Sequence, residues 1–342
     1  MNTIKKILPA EWATQSAVML TWPHTQTDWV ELLDEVLPAF VQIAKEISQR
    51  QQLLIVCADK CQIQKQLTGC NLSNIRLVEV PSNDTWARDH GPLTIREGEQ
   101  WKLLNFEFNG WGQKFEAALD NEITKHLFDQ SVFQPEVLLE NIPFVLEGGS
   151  VESDGKGTIM TTTQCMLSPF RNPGFTKEQI EEKVKAYFGA ERVLWLENGH
   201  LEGDDTDAHI DTLARFCDAE TIAYVQCTDR QEPHYEGLKK MEEELQQFRT
   251  ASGMPYRLVP LPFATAVYNE DGERLPATYA NFLIINGAIL APVYGAQEDE
   301  EVIQALQVAF PKHEIIPVNC RAVIEQNGSL HCLTMQFPEG VL

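Results

Sequence analysis

A chain of 342 residues with 50 Asp+Glu against 27 Lys+Arg carries a formal charge of −23. A polyanion of this kind repels nucleic acid and anionic lipid at every approach, and cationic small molecules are the partners it tolerates best. A hydrophobic share of 43% with 23% charged residues is an ordinary globular composition, which excludes wholesale disorder.

In chain order, Met1–Ala10 carries Lys5 and Lys6, but Pro9 and Glu11 break it before an apolar stretch of about 7 to 15 residues can form, so no signal peptide is expected. The segment Asp28–Arg50 repeats apolar residues at Leu32, Leu33, Val36, Leu37, Phe40, Ile43, Ala44 and Ile47, the period of an amphipathic helix, with Pro38 placed to kink it. Further helices are expected over Phe115–Gln130, Lys177–Phe188, His234–Arg249 and Glu298–Phe310. The second of these four opens with Thr176 and Gln179, a capping-box pair. Between the helices lie β-type runs over Gln52–Ala58, Arg76–Val80, Lys102–Phe108, Phe144–Leu146, Thr158–Thr162, Arg192–Leu196, Thr221–Cys227, Arg257–Leu261, Asn281–Ile285, Ala288–Val293, Glu314–Val318, Ala322–Glu325 and Ser329–Met335. Two or three strands between neighbouring helices is not the strict alternation of a doubly wound sheet; it suggests a ring of similar strand-rich units. No Pro-, Gly- or Ser-rich linker divides the chain, so residues 1–342 are read as one domain. No window reaches the roughly 20 apolar residues of a membrane span. The eight cysteines (Cys57, Cys61, Cys70, Cys165, Cys217, Cys227, Cys320 and Cys332) form no CxxC pair, which points to reduced thiols in a cytoplasm.

Gly148–Gly157 superficially resembles a phosphate loop, but the glycine spacing is one residue too long and Gly157 stands where Ser or Thr is needed. Asp154-Gly155 reads better as a hairpin turn. Three stretches concentrate reactive side chains. Trp86-Ala87-Arg88-Asp89-His90 precedes a Gly91-Pro92 break; Glu147 follows an apolar run and precedes two glycines; Gly203–Asp211 is acidic and contains His209. In an extended segment His209 and Asp211 share a face, so imidazole and carboxylate aim into one site. Cys332 follows a Gly-containing turn within a β-type run, where the adjacent His331 points away from it; His209 is then the candidate base.

Together with Pro9-Ala10-Glu11-Trp12, Trp22-Pro23-His24, Asn109-Gly110-Trp111-Gly112, Tyr279-Ala280-Asn281-Phe282 and Leu330-His331-Cys332, these motifs resemble, over essentially the whole chain, the agmatine deiminases of the guanidine-modifying (pentein) superfamily, close to the Porphyromonas-type peptidyl-arginine deiminases. The resemblance implies an α/β propeller of five ββαβ-type units with pseudo-fivefold symmetry. It implies Cys332 as nucleophile, His209 as acid and base, Glu147 as the carboxylate orienting His209, and Asp89 and Asp211 as guanidinium-binding carboxylates. It also implies agmatine as a small cationic substrate, with no metal and no organic cofactor; a homo-oligomer is compatible with it. One departure is Asn327-Gly328 where Gly-Gly is expected.

The chemistry suits these residue types. A guanidinium carbon is deactivated by delocalised charge, so it needs a soft nucleophile and carboxylates that fix the cation in a fork. Those same carboxylates raise the thiol pKa, so Cys332 is expected to be a thiol until substrate arrives. Trp22, Trp86 and Trp111 are candidates to cover the methylenes, and Arg88, Arg171 and Arg321 could clamp a carboxylate if free or peptidyl arginine were the substrate. Two rivals are a metal-dependent hydrolase built on His209 and Asp211, which chelators would inhibit, and a non-catalytic propeller that captures cations.

Overall fold

Five times along the chain two strands pair antiparallel and a helix then carries the backbone to a further strand parallel to the second, the crossover that parallel pairing requires. In the computed structural model, which describes residues 5–342, Leu93–Glu97 pairs with Gln100–Glu107, and the helix Ile123–Asp129 leads to the parallel Leu138–Val145. Glu152–Ser153 pairs with Thr158–Thr162, and Lys177–Phe188 leads to Arg192–Leu196. Ala214–Asp218 and Thr221–Gln226 are followed across Tyr235–Gln247 by Arg257–Pro262. Leu283–Ile285 and Ala288–Val293 are followed across Asp299–Ala309 by Glu314–Asn319. The remaining sheet joins segments far apart in sequence. Thr334–Pro338 runs antiparallel to Gln15–Thr21, which is parallel to Gln52–Cys57 across the helix Leu33–Ser48, and Ile75–Glu79 completes the sheet. The fold is thus mixed α/β. No described helix is long and apolar enough to cross a membrane.

Local chemistry explains the elements that match expectation. Thr176 and Gln179 form the reciprocal capping box, and Gly189 closes that helix with φ 64°. Asp154 Oδ1 accepts from the N–H groups of Lys156 and Thr158, turning the hairpin that contains Gly155. Pro38 lies inside Leu33–Ser48 without ending it.

The differences have physical causes. Gln15–Thr21 was not among the expected runs because it is buried on both faces: Val18 and Leu20 enter one apolar core, Ala17 and Met19 the other, so polar alternation is missing. The helix expected over Phe115–Gln130 begins only at Ile123, after a 3₁₀ turn Asp120–Glu122. The strand expected over Ala322–Glu325 is a 3₁₀ turn, Val323–Gln326. Only Thr334 onward is extended in the run expected over Ser329–Met335, so Cys332 sits in a 3₁₀ turn, His331–Leu333, rather than in a strand.

Candidate active site

Asp89 lies in the short helical turn Ala87–His90, which directs it toward the turn at Gly148–Ser150: its Oδ1 accepts from Gly149 N at 2.9 Å and its Oδ2 from Trp111 Nε1 at 2.8 Å. Trp111 reaches it because Gly110, Trp111, Gly112 and Gln113 have φ values of 66°, 55°, 87° and 67°. Left-handed backbone costs an ordinary residue about 1–2 kcal/mol, and glycine at two of the four positions reduces that cost. Asn109 Oδ1 holds the turn by accepting from Gly112 N at 2.9 Å. The Asn-Gly-Trp-Gly motif is therefore a device for bringing an indole N–H onto a buried carboxylate.

His209 follows a second left-handed pair, Asp207 and Ala208, both with φ 63°. It does not lie in an extended segment; it precedes the 3₁₀ turn Ile210–Thr212. The acidic residues before it each have a separate partner. Asp204 accepts from Ala208 N at 2.7 Å, Asp205 from Asn327 Nδ2 at 2.7 Å, and Asp207 from Lys114 Nζ at 2.9 Å and Arg171 Nη1 at 2.6 Å. Despite the local geometry, His209 and Asp211 do converge. A Cβ at Gly149 would lie 2.6 Å from His209 Nδ1, 2.9 Å from Asp89 Oδ1 and 3.1 Å from Asp211 Oδ2, so only glycine leaves the space where the three groups meet.

Glu147 is fully buried at the end of its strand, and its carboxylate accepts from Arg171 Nε at 2.8 and 3.0 Å. Its Oε2 stands 4.0 Å from His209 Nε2 and Asp89 Oδ1 stands 3.7 Å from Nδ1; both ring nitrogens are buried without a hydrogen-bond partner. Burial alone would strip the ring of its proton, but Asp89, Cys165 and Glu147 outweigh it and push the His209 pKa up to about 10. The imidazolium form therefore dominates at neutral pH. Asp89 is raised by burial and by the neighbouring Asp211 and Glu147, against His209 and Trp111, which lower it.

Asp211 is fully buried; its Oδ2 lies 2.7 Å from His331 Nδ1 and its Oδ1 has no partner. Cys332 Sγ lies 3.4 Å from Asn281 Oδ1 and 3.9 Å from Asp211 Oδ2. Asn281 also accepts from the N–H groups of His331 and Cys332, which is why this stretch is a tight turn. Burial, then Asp211 and Asp89, hold the Cys332 thiol well above its ordinary pKa, the direction expected for a thiol among carboxylates. A cavity runs from the surface to Cys332 and Asp89. Trp86, Trp111 and Phe115 supply apolar wall, Asp28, Asp84 and Asp205 supply carboxylates, and no lysine or arginine lines it. Trp86 donates to Asp84 Oδ2 at 2.9 Å, and Gly328 gives its ring room.

Several expectations need correction. Trp22 is fully buried, donating to Gln66 and packing on Phe40 away from the cavity. None of the three arginines offered as a carboxylate clamp lines the cavity: Arg171 is spent on Glu147 and Asp207, Arg88 on Gln336, and Arg321 on Glu325. His331 has no ring contact with Cys332, and its Nε2 lies 2.8 Å from Glu11 Oε2. The sequence assigns no role to Cys165, and Asn281 and Glu11 enter there only as parts of the family motifs. Among the described residues two clusters have metal-ligand composition, Glu147–Cys165–His209 and Glu11–Glu152–His331. In each, a guanidinium of the chain already occupies the carboxylates, Arg171 in the first and Arg215 in the second, so neither donor set fits a resident cation.

Comparison with known proteins adds independent information. The model of the Porphyromonas-type peptidyl-arginine deiminase family matches residues 7–338. An agmatine deiminase of Pseudomonas syringae is 32% identical, covering 97% of this chain and 95% of its own length. A Porphyromonas gingivalis structure, provisionally described as an arginine deiminase, superposes with a TM-score of 0.95 at 48% identity, covering 99% of this chain and 100% of its own. A C. jejuni agmatine deiminase with one cysteine changed to serine and substrate bound gives a TM-score of 0.92 at 38% identity, covering 98% and 97%.

Proposed function

Since the chain belongs to the Porphyromonas-type peptidyl-arginine deiminase family, we propose that it is an agmatine deiminase, hydrolysing agmatine to N-carbamoylputrescine and ammonia. The observation that carries this reading is the cavity ending on Cys332, which bears carboxylates along its length and no lysine or arginine. A guanidinium at its floor and an ammonium at its mouth both suit it, whereas the carboxylate of arginine would meet only like charge. The agmatine deiminases among the similar proteins support the same choice.

In this reading Asp89 and the unpartnered oxygen of Asp211 hold the guanidinium, and Trp86 and Trp111 flank the aliphatic stem. The cation lowers the cost of ionising Cys332, whose proton passes to solvent and whose sulfur forms a bond to the guanidinium carbon as the C–N π bond opens onto nitrogen. The adduct collapses as His209 gives its proton to the departing nitrogen, releasing ammonia and leaving an S-alkylthiouronium on Cys332. Neutral His209 then takes a proton from water, whose oxygen bonds to the same carbon. Collapse breaks the C–S bond, the ureido carbonyl forms, and the hydroxyl proton leaves with the regenerated thiol. Glu147, held by Arg171, supplies the charge that keeps His209 protonated, and no cofactor takes part. We further read residues 1–342 as one catalytic domain in which five ββαβ units close around a pseudo-fivefold axis, working in the cytoplasm, where its eight free cysteines stay reduced.

Ammonia release from agmatine, free arginine and a peptide ending in arginine tests the assignment. Agmatine should be turned over with a kcat/KM at least about a hundredfold above either arginine substrate, the scale of one well-placed charge-assisted contact. Preference for either arginine substrate would overturn it, and loss of activity with chelators would revive the metal-dependent reading.

A further inference from the structure

The Pro-Ala-Glu-Trp stretch near the start of the chain has no part in the chemistry above, yet Glu11 is 7% exposed and sits behind the site. Its Oε1 accepts from Ile284 N at 2.8 Å, and its Oε2 accepts from Arg215 Nη2 at 2.6 Å and faces His331 Nε2 at 2.8 Å. His331, 2% exposed, faces Asp211 Oδ2 with its other nitrogen. His331 thus faces a carboxylate oxygen with each ring nitrogen and links Glu11 to Asp211 in one line, and Arg215 Nη2 also lies 3.0 Å from its Nε2. Arg215 anchors the line from below: it pairs with Glu152 and donates to the carbonyls of Ala280 and Phe282. Because His331 occupies Oδ2, Asp211 has one oxygen left without a partner.

We propose that Glu11 and His331 form a buried line of contacts that positions Asp211, so that a segment near the start of the chain sets how tightly the cavity grips a guanidinium. The proposal rests on the deiminase reading, and both residues are positioning residues that touch no substrate. Burial pushes the Asp211 carboxyl up, but the hydrogen bond and charge of His331, with His209 and Arg215, hold it below the usual carboxylate range. The other charged or titratable neighbours are Asp89 and Cys332, which oppose ionisation of Asp211 when charged, and Arg88, which favours it. Without His331 the balance tips toward burial and Asp89, and Asp211 takes up a proton at higher pH.

The test is calorimetric titration of agmatine into the Cys332→Ala protein, alone and combined with His331→Ala, His331→Asn or Glu11→Gln, from about pH 5 to about pH 9. With His331→Ala, binding should weaken about tenfold or more near pH 6 and recover as pH rises, because the acid limb has moved up. His331→Asn places an amide where Nδ1 stands and should restore much of the low-pH affinity; Glu11→Gln should shift the limb in the same direction by less. A folded His331→Ala protein whose affinity is unchanged, or lowered equally at all pH, would overturn the proposal. Should His331→Ala not fold, an unmoved acid limb in Glu11→Gln overturns it equally. Failure of Cys332→Ala alone to bind agmatine would instead overturn the deiminase reading, and the proposal with it.

Discussion

His90 and His209 are both buried almost completely, and their surroundings make them opposites. His90 has Thr21 Oγ1 at 3.1 Å and the Phe108 ring nearby, with Nδ1 unpartnered; burial drives its pKa down to about 3. His209 meets the same burial, but Asp89, Cys165 and Glu147 raise its pKa to about 10. Burial is thus the common background, and the placement of carboxylates decides whether a buried imidazole is held neutral or protonated. The Trp86–Pro92 motif contributes to both regions, since Asp89 faces the cavity and the next residue, His90, faces the core.

The sharpest way to break this contrast is substitution. His209→Asn should lower kcat by about 10²–10⁴-fold, the usual worth of a general acid and base, while His90→Leu should leave kcat near wild type and lower the Tm through the lost Thr21 bond, a change of about 1 kcal/mol. Equal losses of activity at the two positions, measured by ammonia release, would remove the distinction. Cys332→Ala should retain less than about a hundredth of the rate while still binding agmatine.

A second test fills the space between the groups. Gly149→Ala would put a methyl where His209, Asp89 and Asp211 converge, and should abolish detectable agmatine binding in a folded protein. Asp89→Asn or Asp211→Asn, in a Cys332→Ala background, should weaken binding about tenfold or more, the range of a charge-assisted pair. Glu147→Gln should instead lower kcat with little change in affinity, because its carboxylate acts on His209.

The smallest effect is in stability against pH. His209 has a folded pKa above its unfolded value of about 6.5, so its contribution is full below about pH 6.5 and is lost as pH rises toward 10. His90 has a folded pKa below that value, so its contribution is present above about pH 6.5 and is lost as pH falls toward 3. Difference curves of Tm against pH for His209→Asn and His90→Leu should therefore slope in opposite directions; parallel slopes would contradict the assigned surroundings.

What could be read from the sequence follows the range of the forces involved. The Thr176–Gln179 box and the runs Thr158–Thr162, Arg192–Leu196 and Ala288–Val293 depend on neighbours a few residues apart, and their bounds match the structure. Cys332, His209, Glu147, Asp89 and Asp211 came from motifs and do lie together, with Cys332 and Asp89 lining the cavity and the other three packed against them. Their supports could not be found that way. Nothing local says that Arg171 clamps Glu147, that Asn281 folds the Cys332 turn, or that Glu11 faces His331, because the partners are 24, 50 and 320 residues apart in sequence. The extended conformation expected around His209 and Cys332 is replaced by turns because side chains capture the backbone N–H groups that a strand would have used: Asp204 and Thr206, close in sequence, at Ala208 and His209, and the distant Asn281 at His331 and Cys332.

The antiparallel pairing of Thr334–Pro338 with Gln15–Thr21 carries a consequence for synthesis. Gln15–Thr21 leaves the ribosome long before its partner, so one edge of its sheet stays open while nearly all the intervening chain is made, a long-range closure of the slow kind. Cys332 rides in the turn immediately before the closing strand. Cys332 therefore reaches the cavity in the same step that seals the sheet, and a nascent chain stalled earlier has an incomplete cavity and is prone to pair its open edge with another chain.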